Sequence, residues 1–391
     1  MNKRDAHKGD IYRSPIAVVI GIGSYNDLGI IRSCGERGVR SIYISSSIGN
    51  PIPIHKSKYL LNTIFDQINE ENLLEHIKNI SQKFSDSQIF IFPASDNAVE
   101  ICDKNYNKLP KNIISSHAYG GLIHLMDKNV MTSMAFKAGL TVPKTFELKK
   151  SDTLNNSNFP ENFNFPLIIK PVNSIKGSKN DIQICKEFES LKENCDRLFE
   201  KGYKSVLIQE YIHNSSSREI GITGISYPDG TVEIHGWIEK YRNRSNINNF
   251  GEYFPYQKID CLKELTEYIK STKYIGIFDT DFILKDGKLY FIECNFRNGA
   301  YGYAVTTSGF NMPYNWISNY KNENKKKNAI LKPILFMEER TDVLNVLDKT
   351  MKPIHWLKDC MRTNTFLWWN WKDPKPLLRI PVFIKDKFRK N

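Results

Sequence analysis

Phe278-Asp-Thr-Asp-Phe-Ile-Leu284 and Ile292-Glu-Cys-Asn-Phe-Arg297 decide how this chain reads. Both are mainly apolar and flank Lys285-Asp-Gly-Lys288, the pattern of a β-hairpin. Hard oxygen donors on such strands are costly to bury unless a cation or a phosphate meets them. A three-residue loop, Asp286 to Lys288, puts Asp281 directly opposite Glu293, with Asn295 on the same face. A two-residue turn alone would put Asp281 and Glu293 on opposite faces. With the first spacing, Asp281, Glu293 and Asn295 are expected to hold Mg2+ for a nucleotide, completed by phosphate oxygens and water. The plainer reading is a strand end carrying solvated polar residues.

Other groups of the same chemistry lie upstream. Lys170 ends an apolar strand in Phe165-Pro-Leu-Ile-Ile-Lys-Pro171, where an unpaired ammonium is disfavoured and a phosphate would relieve it. The following loop, Asn173 to Lys179, offers Ser174, Gly177 and Ser178, whose backbone allows close approach to phosphate oxygens. Lys128 opens a helix that runs to Gly139, and alone it reads as an exposed helix-start lysine. Gln209-Glu-Tyr-Ile212 ends another strand, whose free edge could meet adenine, with Glu210 accepting from the exocyclic amine. Glu219 is placed for ribose hydroxyls, and either glutamate alone reads equally as an ordinary surface residue.

The first segment alternates strand and helix: Ile16–Ile20, a helix to about Arg37, Ser41–Ile44, a helix over 70–84, and Gln88–Pro93. This predicts a doubly wound α/β layout. Gly21-Ile-Gly23 and Gly29 lack the third glycine of a dinucleotide fingerprint, since Asn26 stands there. Ser45 to Ser47 replace the acid that would hold a ribose. A tight turn is the expected use, and an NAD-dependent oxidoreductase is disfavoured.

In chain order, Asp127-Lys128, Ile169-Lys-Pro171, Gln209-Glu-Tyr-Ile212, Arg218-Glu219, Asp281 and Glu293-Cys-Asn-Phe-Arg297 resemble the ATP-grasp superfamily over roughly residues 16 to 316. Asn295-Phe-Arg-Asn-Gly-Ala-Tyr-Gly-Tyr-Ala304, with Gly309-Phe-Asn-Met-Pro313 and Trp316, looks like carboxylate–amine ligases of the D-aspartate ligase-like branch. The resemblance implies mixed α/β and α+β architecture: a pre-ATP-grasp α/β domain over 1–125, then the two-lobed ATP-grasp fold over 126–320. Its lid lobe would span about 145–208 and its metal-binding lobe about 209–320, with a basic aromatic extension over 321–391. It implies ATP and Mg2+ as cofactors and an amide-forming reaction through an acyl phosphate, releasing ADP and phosphate. Lys128 and Lys170 would hold phosphates, Glu210, Tyr211 and Ile212 adenine, and Glu219 ribose. Asp281, Glu293 and Asn295 would hold the metal, although the nearby Asp279 competes with Asp281 for that role. Arg297 would meet the substrate carboxylate or the transferring phosphoryl group, and Lys240, with Arg242 nearby, the γ-phosphate. The expected partners are a small-molecule carboxylate and an amine. A nucleotide-binding or other ATP-grasp protein in surface-polymer assembly is the alternative.

Composition bounds these readings. The chain has 391 residues, 25% charged, with a net charge of +12, so anionic partners suit it. No nucleic-acid-binding motif is present. Seven cysteines without a C-x-x-C pair predict free thiols, and the absence of a long apolar run predicts a cytoplasmic protein. Trp356, Trp368, Trp369 and Trp371 lie among basic residues near the C-terminus. They are expected to fold back on the protein, with peripheral membrane contact as the other use and a homodimer left open.

Overall fold

The computed structural model describes residues 14–46, 53–152, 154, 159–160, 162–172, 181–213, 216–244, 247–320 and 331–377. Ser174, Gly177 and Ser178, with the rest of their loop, lie outside these residues.

The described residues up to Ser115 build a five-stranded parallel sheet. Its strands are β1 (Ile16–Gly21), β2 (Arg40–Ser45), β3 (Leu60–Phe65), β4 (Ile89–Pro93) and β5 (Ile113–Ser115), in the order β3-β2-β1-β4-β5. Every residue of β1 is buried, as a strand covered on both faces requires. Ile16, Val18 and Ile20 meet the helices Glu70–Lys83 and Asp96–Lys104. Ala17 and Val19 meet the helix Tyr25–Gly35 and, beyond it, Tyr301, Trp316 and Trp368. The glycine turn after β1 has a local cause. Ser24 and Asp27 form a capping box, and a Cβ on Gly21 would lie 2.2 Å from the Asp27 carboxylate. A buried carboxylate thus fills the space beside the turn.

After a short strand β6 (His117–Ala118), the four strands β7 (Thr145–Lys149), β8 (Leu167–Pro171), β9 (Gln183–Cys185) and β10 (Ser205–Glu210) form an antiparallel sheet ordered β7-β10-β8-β9. The helix Phe188–Glu200 closes one face, burying Leu191, Cys195 and Leu198 against Leu167, Ile169 and Ile208.

The largest sheet has nine strands: β11 (Arg218–Ser226), β12 (Val232–Ile234), β13 (Gly236–Arg244), β14 (Ile247–Pro255), β15 (Tyr274–Lys285), β16 (Lys288–Asn295), β17 (Ile334–Met337), β18 (Thr365–Phe366) and β6. Its main order is β16-β15-β11-β13-β14-β17-β18. The chain breaks at His235, which separates β12 from β13. Residues beyond 330 join this sheet, because β17 pairs with β14 and β18 with β17.

The tail also docks on the first sheet's helix. Arg32 is wholly buried and contacts Asp373 at 3.2 Å, while donating to the carbonyls of Leu367 and Trp368. Trp368 is buried in the core and Trp356 half-buried, but Trp371 remains 83% exposed. The fold-back expectation therefore holds for part of the segment. All seven cysteines are free. Among the described residues, no helix is long and apolar enough to cross a membrane.

Candidate active site

The hairpin that opened the sequence reading reaches its geometry by another route. Its turn has two residues, not three: Lys285 pairs with Lys288 around Asp286 and Gly287, whose φ angles are 48° and 75°. Positive φ at both positions is the type I′ turn that Asp-Gly favours. Such a turn alone would separate Asp281 from Glu293. A β-bulge corrects it, because Phe282 pairs with Phe291 while Asp281 pairs with Glu293, leaving Ile292 as the extra residue. Asp279 then faces Asn295. Cys294 takes its side chain into the apolar cluster with Met131 and Phe291.

A cavity of about 610 Å3 gathers Asp279, Asp281, Glu293, Asn295, Arg297, Lys240 and Lys128. Its other wall comes from the first sheet. Ile22, Ser24 and Asn26 follow β1, and Ser95 and Asp96 follow β4. The chain leaves β1 towards β2 on one side, whereas β4 adds on the other. The cavity thus opens at the carboxyl ends of strands where the winding reverses, the usual ligand crevice of such sheets. These residues were missed in the sequence because the crevice is defined by strand order. Tyr301 was missed as well; its hydroxyl donates to Asp279.

The charges in this cavity are strongly perturbed. Burial pushes Asp279 up to about 7, reinforced by the Asp281 carboxylate and opposed by Lys240. Burial pulls Lys240 down, but Asp281 and Asp279 more than reverse it, so the ammonium is held above its ordinary value. Lys240 is hydrogen-bonded to Asp281 and lies 5.6 Å from the Tyr301 ring centre. Burial likewise opposes the charge on Arg297, and Asp96, at 2.7 Å, restores and raises it. Arg297 also donates to Asn295 at 3.3 Å.

Lys128 and Lys170 are different. Burial lowers Lys128, with only Glu293 opposing. Burial lowers Lys170 to about 8, helped by repulsion from Lys128 and opposed by Glu293. Lys170 is 7% exposed and donates to Gln209 at 2.9 Å. Two desolvated ammoniums that repel each other form a pair an anion would stabilise. The plain surface reading of Lys128 fails on its half-burial.

A second cavity, about 260 Å3, adjoins the first and shares Glu219, Lys240 and Asp281 with it. Glu210, Tyr211 and Ile212 line it with Lys170, Phe282 and Ile292. The free edge expected there is partly used. The N–H of Glu210 donates to the Lys144 carbonyl and that of Tyr211 to the Pro166 carbonyl. Glu219 lies 3.2 Å from the His213 ring, and this contact, against burial, holds its carboxyl below the ordinary range. Arg242 does not join the site. It is paired with Asp342 at 2.9 Å and Asp359 at 2.7 Å.

Among the described residues, no group of three or more His, Cys, Asp and Glu side chains forms a metal-binding array. Asp281, Glu293 and Asn295 offer two carboxylates and one amide, a set that would suit a Mg2+ arriving on phosphates, which takes only one or two carboxylates from a protein. The set does not fit a cation held by protein alone. Asn248, also in the cavity wall, leaves both amide atoms without a hydrogen-bond partner.

A parallel sheet, a small antiparallel lobe and a large antiparallel sheet enclosing a crevice of lysines and acids define a two-lobed nucleotide-clamp architecture. Residues 126–317 match the family model described as a RimK-like ATP-grasp domain, and this segment is an ATP-grasp domain. The chain is 22% identical over 252 residues to a D-aspartate ligase of Enterococcus faecium, covering 59% of each chain. It is 26% identical over 177 residues to a D-alanine–D-alanine ligase of Fusobacterium nucleatum, covering 44% of this chain and 57% of that one. It thus spans less than two thirds of either relative's length. N5-carboxyaminoimidazole synthetase from Staphylococcus aureus shares the fold with a TM-score of 0.63, covering 86% of both chains at 16% identity.

Proposed function

We propose that this chain is an ATP-dependent carboxylate–amine ligase forming an amide or peptide-like bond through an acyl phosphate. The carrying observation is that two desolvated lysines, Lys128 in the larger cavity and Lys170 in the smaller one adjoining it, both lie within the electrostatic reach of Glu293, which lines the larger cavity with Asp281 and Asn295. Adenine would enter the smaller cavity against Glu210, Tyr211 and Ile212, with Glu219 at the ribose. Lys128 and Lys170 would hold the phosphates. Mg2+, held by Asp281, Glu293 and Asn295, would neutralise charge on the phosphate oxygens.

A substrate carboxylate oxygen attacks the γ-phosphorus, and the bond to ADP breaks with its electron pair leaving on ADP. The amine nitrogen then attacks the acyl carbon. The C–O bond breaks, phosphate leaves with that pair, and the surplus amine proton passes to solvent. Arg297, braced by Asp96, would orient the acyl phosphate through its planar fork. Lys240 would leave Asp281 for the γ-phosphate as metal enters. The names of the curated relatives favour amino acids as substrates.

Mg·ATP with a panel of amino acids and amines tests this reading. ADP and phosphate should appear only when a carboxylate and an acceptor are both present, together with their amide. AMP and pyrophosphate would overturn the acyl-phosphate route. ADP release with bicarbonate and no amine would favour carboxyphosphate chemistry instead.

A further inference from the structure

The helix Pro353–Arg362 turns Trp356 and Cys360 onto Phe250, Leu335 and Met337. Its other side carries Ile354, Leu357 and Met361, which are 54%, 50% and 79% exposed. At 3.6 residues per turn these three fall within about 60° of one another, so they form a ridge. Trp371 is 83% exposed, its ring set edge-on to Trp369 with centres 4.9 Å apart. Large apolar side chains gathered on one exposed helix face call for a partner.

Charge identifies the partner. Between Lys349 and Leu377 the chain has six lysines and arginines, and all six are exposed. It has two acids, Asp359 and Asp373, and both are already paired, with Arg242 and Arg32. Among the described residues of this stretch, six exposed cations thus stand against two acids that are already paired. Lys358 and Arg362 flank the ridge on its own helix. Apolar side chains that can enter a hydrocarbon boundary, with cationic groups at their rim, suit the headgroup layer of an anionic bilayer. A nucleic acid would use the charges and leave the ridge wet.

We propose that the helix Pro353–Arg362 is a peripheral docking face for an anionic phospholipid bilayer. The ridge would sit about 5–10 Å into the headgroup–acyl boundary, parallel to the surface. The contact does not depend on the ligase reading, since no residue of the crevice belongs to it.

Vesicle flotation of the full chain tests this. Vesicles of phosphatidylcholine with about 30% phosphatidylglycerol should carry the protein, and pure phosphatidylcholine should not. Raising the salt should weaken the binding, because the surface potential is screened. The double variant Leu357→Glu, Met361→Glu should lose about tenfold or more in vesicle binding with an unchanged melting temperature. Equal binding to neutral vesicles, no binding to anionic ones, or full binding by the double variant would each overturn the proposal. So would a dimer in sedimentation that the double variant dissolves, with no lipid binding, because a second copy would then cover the ridge.

Discussion

At the scale of single residues, the site is a contest between burial and charge. Burial, with repulsion from Lys128, lowers Lys170 to about 8 against an ordinary value of 10.5. A lysine lowered on folding binds fewer protons folded than unfolded between those two values, so its unfavourable contribution to stability fades as pH rises through that window. A bound polyphosphate reverses the balance by restoring the charge. Nucleotide binding should therefore take up a proton near pH 8 to 9, and affinity should fall as pH rises above about 8, by up to tenfold per unit. Calorimetry in buffers of different ionisation enthalpy reads the uptake, and Lys170→Met should abolish it. An identical pH profile in that variant would remove Lys170 from the phosphate site. Glu293→Gln keeps the shape of the side chain and removes one charge from the proposed metal donors. Turnover should fall about a hundredfold, equivalent to roughly 3 kcal/mol, while nucleotide still binds. Near-normal turnover at saturating Mg2+ would reject the donor set.

At the scale of elements, the hairpin β15–β16 shows what the sequence discloses and what it withholds. Its two strands, the Asp-Gly turn and the alternation that separates Cys294 from Glu293 and Asn295 all follow from residue order. So do the parallel first sheet and the burial of Lys170. The pairing of Asp281 with Glu293 was read correctly for the wrong reason, because an Ile292 bulge leaves no compositional mark. Ser24, Ser95 and Asp96 became visible only once β1 and β4 were known to be neighbours. Arg242 could not be assigned from the sequence because its partners lie 100 and 117 positions away. The bulge itself is testable. Deleting Ile292 lets the pairs continue in step, so Asp281 should still face the glutamate. Ile292 also walls the smaller cavity. The deletion should raise the KM for ATP more than it lowers kcat. Complete loss of turnover in a folded variant would show that the twist of the bulge, beyond the side to which Glu293 points, sets the donor geometry.

At the scale of the whole molecule, the crevice has walls from two sheets, and the tail is one of the parts that fix their relation. Strand β17 extends the large sheet, and β18 continues it before the chain crosses to the first sheet's helix. There Asp373 accepts from Arg32, from the Ser57 hydroxyl at 2.8 Å and from the Lys58 N–H at 2.9 Å. Arg32 and Asp373 are essentially inaccessible to solvent. Removing one partner of such a pair leaves an uncompensated buried charge and costs about 3–5 kcal/mol, more than an apolar replacement of both would. Asp373→Ala should therefore lower the melting temperature by roughly 5–10 °C. The helix held by Arg32 begins at Tyr25, in the crevice wall. The smaller cavity, by contrast, is built by β8, β10, β11, β13, β15 and β16 and the segment after β10, and takes nothing from the first sheet. In the variant, the KM for the acceptor should rise while ADP affinity stays close to wild type. An equal loss in both would mean that the tail supports the nucleotide lobes directly, and no change in melting temperature would mean that Arg32 finds water or another partner once Asp373 is gone.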